Sequence, residues 1–277
     1  MKTFLLGGVA LITLGLVGSA LAADMPIKAP VVVVDTWSGF YLGVDFGGIH
    51  GLNNTANFSQ SGPPLFSAFD PVAFNVSPNW AETGGIHGGY NWQFDPSWVV
   101  GVEADFNKTN LSTVPGQLFL TSGGLPLPIC DPSTPGSCHG LLMGNTLNWT
   151  ATARARLGYD MKVGQAGKSA LFYVTGGGAY ASLESSGQVA AANFSTFSIT
   201  TATNHMSAGW VAGGGFEVMA TAHWLMRVEY LHYALNSGTT TTIACSACTP
   251  GAFSGPGTFT WSNSSFDVIR GGLSYKF

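Results

Sequence analysis

Ten charged side chains recur on the parity that apolar residues leave free: Asp45, Glu103, Asp105, Glu217 and Glu229, with Arg154, Arg156, Arg227, Arg270 and Lys276. Each would be costly to bury alone, whereas paired and hydrogen-bonded they can be held out of water. Five acids set against five bases predict an ion-pair network, a structural chemistry and not a catalytic one. The remaining reactive side chains are sparser. His205 and Ser207 share a parity with Glu217, which would supply base, nucleophile and orienting acid. Along an extended strand, however, Glu217 lies about 33 Å from Ser207, at the usual rise of about 3.3 Å per residue. That separation defeats a triad. His50, His87, His139, His223 and His232 are scattered without metal spacing and read as strand-end or loop residues. Cys130 and Cys138 fall in one long connection, Cys245 and Cys248 in another. Three disulfide connectivities are open, the local pairs 130–138 and 245–248 needing no docking of loops. A Cys-x-x-Cys metal or redox site would need a second pair at metal spacing, which the same loop lacks. No phosphate-binding glycine loop occurs, and neither a cofactor nor catalysis is expected.

Elements able to place those charges on one face must have a period of two. Thr146–Tyr159 sets Leu147, Trp149, Ala151, Ala153, Ala155, Leu157 and Tyr159 against Asn148, Thr150, Thr152, Arg154 and Arg156. On a strand the two sets point to opposite sides, whereas a helix would mix them around its circumference. Trp98–Asn107 alternates in the same way, with Glu103 and Asp105 opposite Val102, Ala104 and Phe106. Trp224–Tyr230, Ser207–Val218 and Phe40–Phe46 repeat the pattern, while glycines blur it in Trp80–Phe94 and Leu171–Glu184. The last strand runs to the final residue, with Ile269, Leu273, Tyr275 and Phe277 opposite Arg270, Ser274 and Lys276. Eight strands of ten to fifteen residues result.

Composition says where such strands can live. Charged residues make up 9 % of the 277, against about 25 % in soluble domains, and there are 38 glycines. Mean hydropathy is +0.25. Yet after the first two dozen residues no apolar run nears the ~18 that a membrane helix needs. The chain is too apolar to be disordered, and a net charge of −4 offers no basic patch for nucleic acid. Hydrophobicity spread over alternate positions fits an all-β, eight-stranded antiparallel up-and-down transmembrane barrel. Residues 1–22 read as a signal peptide, cleaved after Ala20-Leu-Ala22; 23–36 as a periplasmic lead-in; 37–277 as the barrel.

Connections alternate between short and long. Asp95–Ser97, Asp160–Ser169 and Ala220–His223 are short, whereas Gly51–Asn79, Thr109–Asn145, Ser185–Asn204 and Leu235–Asn263 are long, neutral and rich in Gly, Ser, Thr, Asn and Pro. In a barrel the long set forms the exterior end and both termini fall in the periplasm. Trp37, Phe40, Trp80, Trp92, Trp98, Trp149, Trp210, Trp224 and Tyr275 are expected to face lipid as interfacial girdles. Inward glycines such as Gly213 and Gly215 are expected to leave room for arginines from across the lumen.

Several strings together carry a family likeness. They are Trp37-Ser-Gly-Phe-Tyr-Leu-Gly, Gly88-Gly-Tyr-Asn-Trp-Gln, Gly101-Val-Glu-Ala-Asp-Phe, Thr152-Ala-Arg-Ala-Arg-Leu-Gly-Tyr, Tyr173-Val-Thr-Gly-Gly-Gly-Ala-Tyr, Gly209-Trp-Val-Ala-Gly-Gly-Gly-Phe-Glu, Arg227-Val-Glu-Tyr and Arg270-Gly-Gly-Leu-Ser-Tyr-Lys-Phe. The succession resembles the small outer-membrane β-barrel family of alphaproteobacterial surface antigens, in the OmpA-type transmembrane-domain superfamily. The resemblance implies a porin-like or envelope-organising surface protein of a Gram-negative outer membrane. It also implies that Tyr275 and Phe277 serve as the insertion signal read by the barrel-assembly machinery. Outer-membrane lipid and lipopolysaccharide are the expected partners, an extracellular ligand at the loops is left open, and no nucleic acid is expected. The leading function is structural and loop-presenting. The alternatives are a narrow channel for small solutes and an adhesin.

Overall fold

A computed structural model of the chain describes residues 36–53, 55–60, 72–75, 79–113, 116–119, 139–163, 168–191, 198–243 and 257–277, all within one compact unit that runs Asp35–Phe277. Residues 1–22, expected to be a signal peptide, most of the expected lead-in and all four cysteines lie outside the described residues. Among the described residues thirteen strands follow in order: β1 (Gly39–Asn53), β2 (Thr55–Gln60), β3 (Val72–Asn75), β4 (Asn79–Asp95), β5 (Trp98–Ser112), β6 (Gly116–Phe119), β7 (His139–Val163), β8 (Lys168–Ala191), β9 (Ser198–Met219), β10 (Trp224–Leu235), β11 (Thr239–Ile243), β12 (Gly257–Trp261) and β13 (Ser264–Lys276). Eight of them, β1, β4, β5, β7, β8, β9, β10 and β13, pair antiparallel in sequence order. The β1–β13 ladder from Tyr41↔Lys276 to Asn53↔Ser265 closes the ring. No sheet edge is left to meet lipid over that length.

Alternation sorts side chains as a membrane demands. Phe40, Leu42, Val44 and Phe46 stand outward on β1, Met226, Val228 and Tyr230 on β10, and Ile269, Leu273 and Tyr275 on β13. At eight strands the lumen is narrow enough to be filled by side chains. It is filled in three layers. An apolar cluster at the short-turn end contains Trp37, Val99, Leu171, Met219 and Leu225. Charged residues occupy the middle. A larger apolar cluster nearer the long connections contains Ile49, Leu111, Leu183, Tyr233 and Phe266.

Four expectations change. Trp37 is not lipid-facing but fully buried, its indole Nε1 donating to Ser169 Oγ at 2.9 Å, so it plugs the short-turn end. Leu147 and Trp149 do not share a face. The β7 ladders with β5 and β8 both shift register between Leu147 and Trp149, and the extra residue turns Leu147 into the core at 0 % exposure. A comparable shift in β1 places Gly51 at φ +118° and Leu52 at φ +69° and buries Leu52 completely. A left-handed leucine costs about 1–3 kcal/mol, offset here by the apolar surface it removes from water.

The long connections are also more ordered than their composition suggested. β7, β8 and β9 extend far up as paired strands, with β6 added beside β7. β11, β12, β2 and β3 form a second, four-stranded sheet from the connections over Gly51–Asn79 and Leu235–Asn263. Thr239–Thr242 are β-branched, and such side chains favour extended backbone even where apolar residues are few. The turn expected over Asp160–Ser169 narrows as well, since β7 and β8 pair as far as Val163↔Lys168.

The inward turn of Leu147 can be measured. Leu147→Ala should lower stability by about 2–5 kcal/mol, the cost of a cavity in a packed core. Asn148→Ala at the bulge should change it by less than about 0.5 kcal/mol. Urea-induced unfolding in phospholipid vesicles, followed by tryptophan fluorescence, distinguishes the two.

Candidate functional site in the barrel lumen

Register brings acids and bases together before any side chain is considered. On adjacent strands Glu103 lies opposite Arg154, Glu217 opposite Arg227, and Glu229 opposite Arg270. Directly opposed residues are about 5 Å apart at Cβ, within reach of paired long side chains. Two of these neighbours bond directly: Arg154 Nη2 donates to Glu103 Oε1 at 2.5 Å, and Arg270 Nη2 to Glu229 Oε2 at 2.7 Å. The rest of the network spans the lumen. Arg154 Nη1 reaches Glu229 Oε1 at 3.0 Å, Arg156 Nη2 reaches Glu217 Oε2 at 2.5 Å, and Arg227 Nη1 reaches Glu103 Oε2 at 2.6 Å. Arg227 Nη2 also donates to Asp45 Oδ1 at 2.8 Å, and Arg270 Nη2 to Asp105 Oδ2 at 3.2 Å.

Nine of the ten predicted charges therefore meet in one cluster. Its five carboxylates and four guanidiniums are at most 6 % exposed. Lys276 stands at the short-turn rim, where its Nζ donates to the carbonyl oxygen of Thr36. It is the last inward residue of β13, and its height along the strand keeps it below the other charges.

Neutral side chains complete the cluster, and parity alone did not single them out. Tyr41 donates to Glu103 Oε2 at 2.8 Å, Tyr173 to Glu229 Oε1 at 3.1 Å, and Thr152 to Asp105 Oδ2 at 2.6 Å. The Arg156 guanidinium lies 4.0 Å from the Tyr173 ring centroid. At that distance the ring face stabilises a desolvated cation. His87 corrects the reading of scattered histidines. It is buried, with Nδ1 2.9 Å from Asp45 Oδ2 and Nε2 2.7 Å from Ser274 Oγ. The run Gly84-Gly-Ile-His-Gly-Gly89 hid its parity, having almost no side chains to alternate.

Asp45, His87 and Ser274 stand in the order acid, imidazole, hydroxyl, the arrangement that activates a nucleophile elsewhere. Here Ser274 is 1 % exposed, and Arg227 and Arg270 hold the aspartate from the other side. A hydroxyl so enclosed meets no substrate. The chain of bonds ties β1, β4 and β13 together.

Glycines make room for the cluster, though not at the expected positions. A Cβ on Gly215 would press on the Tyr173 hydroxyl at 2.6 Å, and one on Gly213 would meet the Tyr230 carbonyl and Leu231, so neither faces an arginine. Gly272 does that instead, lying where a Cβ would sit 2.7 Å from Asp45 Oδ1 and 2.8 Å from Arg227 Nε. Gly43 leaves the space that the His87 ring occupies. On the outer wall Tyr275 and Phe277 project outward with ring centroids 5.3 Å apart, and Trp224 lies 5.4 Å from Tyr275.

The family comparison agrees with this architecture. The family model described as outer membrane protein beta-barrel domain matches residues 10–277. The 31 kDa outer-membrane immunogenic proteins of Brucella melitensis and Brucella suis are each 30 % identical over 292 residues, covering 100 % of both chains. Among solved structures, the outer membrane protein OprG from Pseudomonas aeruginosa is 12 % identical with a TM-score of 0.44, covering 88 % of this chain and 99 % of its own. Neisserial surface protein A is 13 % identical with a TM-score of 0.34, covering 87 % and 98 %.

Glu103 accepts from Tyr41 and from three arginines, Arg154, Arg156 and Arg227, whereas each other acid of the cluster pairs with at most two arginines. Glu103→Gln should destabilise the folded barrel by about 3–5 kcal/mol, the cost of stranding buried partners. Glu184→Gln, outside the cluster, should shift the same urea midpoint by less than about 0.5 kcal/mol equivalent.

Proposed function

The chain belongs to the outer membrane protein β-barrel domain family, and on that premise we propose that it is a sealed structural barrel of the outer membrane, holding a β-rich exterior in place and conducting no solute. One observation carries this reading: the lumen is occupied across its section by a cluster of nine buried, ion-paired groups between two apolar layers. A path for ions would have to break several guanidinium–carboxylate contacts at once, each desolvated and therefore strong. Trp37 adds a second barrier at the short-turn end. The long connections then face the cell exterior and both termini the periplasm, as in other barrels with short turns on the inner side. Lipopolysaccharide and phospholipid cover the outer wall, and Tyr275 and Phe277 present the assembly signal on its lipid side.

Purified protein in a planar bilayer should give no stable single-channel steps. Long-lived steps from the unmodified chain would replace the sealed barrel by the channel reading. Orientation is tested separately, in a background where the four cysteines are serine. A membrane-impermeant maleimide should label Thr240→Cys on intact cells and should leave Ser97→Cys unlabelled.

A further inference from the structure

We propose that the outer wall over β1, β13 and β10 is a docking face for a second copy of this chain, joined about a two-fold axis by reciprocal bonds between His50 and Asp267. The contact is independent of whether the lumen conducts. Three polar side chains form one lateral row there, since Asp267 lies opposite His50 on β1 and opposite His232 on β10. All three stand on the outward parity, with Ile269 and Tyr230. His232 Nδ1 and the Tyr230 hydroxyl both bond to the same Asp267 oxygen, Oδ1, each at 2.7 Å. Asp267 Oδ2 accepts from none of the described residues. His50 makes no hydrogen bond among them either, and its ring lies 4.6 Å from that of Trp80. Trp210 bounds the other end of the row, 5.6 Å from the His232 ring.

Counting along the strands places part of this row within the lipid. Ten residues separate Phe40 from His50, Trp92 from Glu82, Trp98 from Lys108 and Tyr159 from Trp149, outward residues that mark the two edges of the wall. At about 3.3 Å per residue and a tilt of about 40°, that run rises about 25 Å, the height of the apolar band of an outer-membrane barrel. Asp267 is only eight residues from Tyr275, and His232 only eight from Trp224, so both stand about 5 Å inside the band. Ionisable groups within a membrane are rare and turn toward a partner, not toward lipid. The side chains of Asp267 and His232 are nevertheless 37 % and 39 % exposed. A lipid phosphate would be repelled by the Asp267 carboxylate, and a hydrocarbon chain offers Asp267 Oδ2 no donor. A second copy supplies both missing halves. With a two-fold axis parallel to that of the barrel and passing between His50 and Asp267, each His50 meets the partner's Asp267. The contact is isologous and closes on itself. Below the row Val44, Phe46, Val228 and Ile269 are each more than half exposed and supply the apolar surface for packing. Hydrogen bonds across the contact add to that packing in lipid, where apolar burial gains little by itself.

The test uses the full chain with its four cysteines replaced by serine and Ser97→Cys carrying a donor or an acceptor dye. Energy transfer between labelled chains is followed in phospholipid vesicles as the protein-to-lipid ratio is raised. Transfer should rise to saturation and fall when unlabelled chain is added. His50→Leu and Asp267→Leu should each weaken pairing at least tenfold while keeping heat-modifiable migration. A mixture of the two variants regains one of the two reciprocal bonds, so it should pair at least threefold more tightly than either variant alone. A role in folding alone gives no such recovery. If a variant fails to fold, oxidative cross-linking of single-cysteine chains decides. Ile269→Cys, beside the row, should give a disulfide-linked dimer, and Val174→Cys on β8 should not. Monomers at every ratio, pairing unchanged in both variants, or no recovery in the mixture overturns the proposal. Cross-linking through Val174→Cys alone assigns the contact to another wall, and a monomer that retains bound lipid assigns the row to lipid; either result also overturns it. Bilayer conductance reports separately on the sealed lumen, so failure of one reading is distinguishable from failure of the other.

Discussion

Charge removed from water has to be matched within hydrogen-bond reach, and here five carboxylates and four guanidiniums are removed together. Everything else in the lumen follows from meeting that condition. Each arginine contacts acids on other strands, so the pairing ties opposite walls to one another as well as neighbours along the sheet. Apolar layers above and below keep water from competing, which strengthens each contact through the low local dielectric. The same layers make the arrangement unforgiving, because a broken pair cannot be rehydrated. The cluster therefore acts as a specification of shape. Only a ring with this register and this diameter brings all nine groups within reach.

Much of this was legible in the sequence because a strand's side-chain period is an integer. Glu103 and Asp105 against Arg154 and Arg156 could be read two by two, and the faces hold wherever the ladder is regular. Legibility fails where regularity does. One bulged residue near Asn148 sends Leu147 inward, and nothing in the local types announces it, since leucine suits either side of a membrane wall. His87 was hidden for the opposite reason: with paired glycines before Ile86 and after His87 there is almost no alternation to read. Trp37 precedes the first ladder, so period-two reasoning does not reach it, and interfacial preference suggested lipid where packing chose the lumen.

The long-connection end shows a further limit. Its segments contain few apolar residues and many hydroxyls, a composition that suits loops in soluble domains. On this scaffold they begin from strands already paired, and continuing a ladder is easier than starting one. Threonine-rich β11 thus finds β12, and β12 finds β2, although their hydrophobic pattern alone would not have matched them. Hydrogen bonding to the neighbouring backbone adds to the burial of Phe259 and Trp261 in organising this sheet.

Closure by β1 and β13 also sets an order in time. The hydrogen bonds that join Arg227 to Asp45 connect residues 182 positions apart, and the ladder that completes the ring spans more of the chain still. Contacts so distant in sequence form late, after a large loss of chain entropy. Until the last strand arrives the charged parity has no enclosure and the apolar parity has no partner sheet. The chain must therefore remain extended and protected along its whole passage, and its interior is assembled in a single final act of closing.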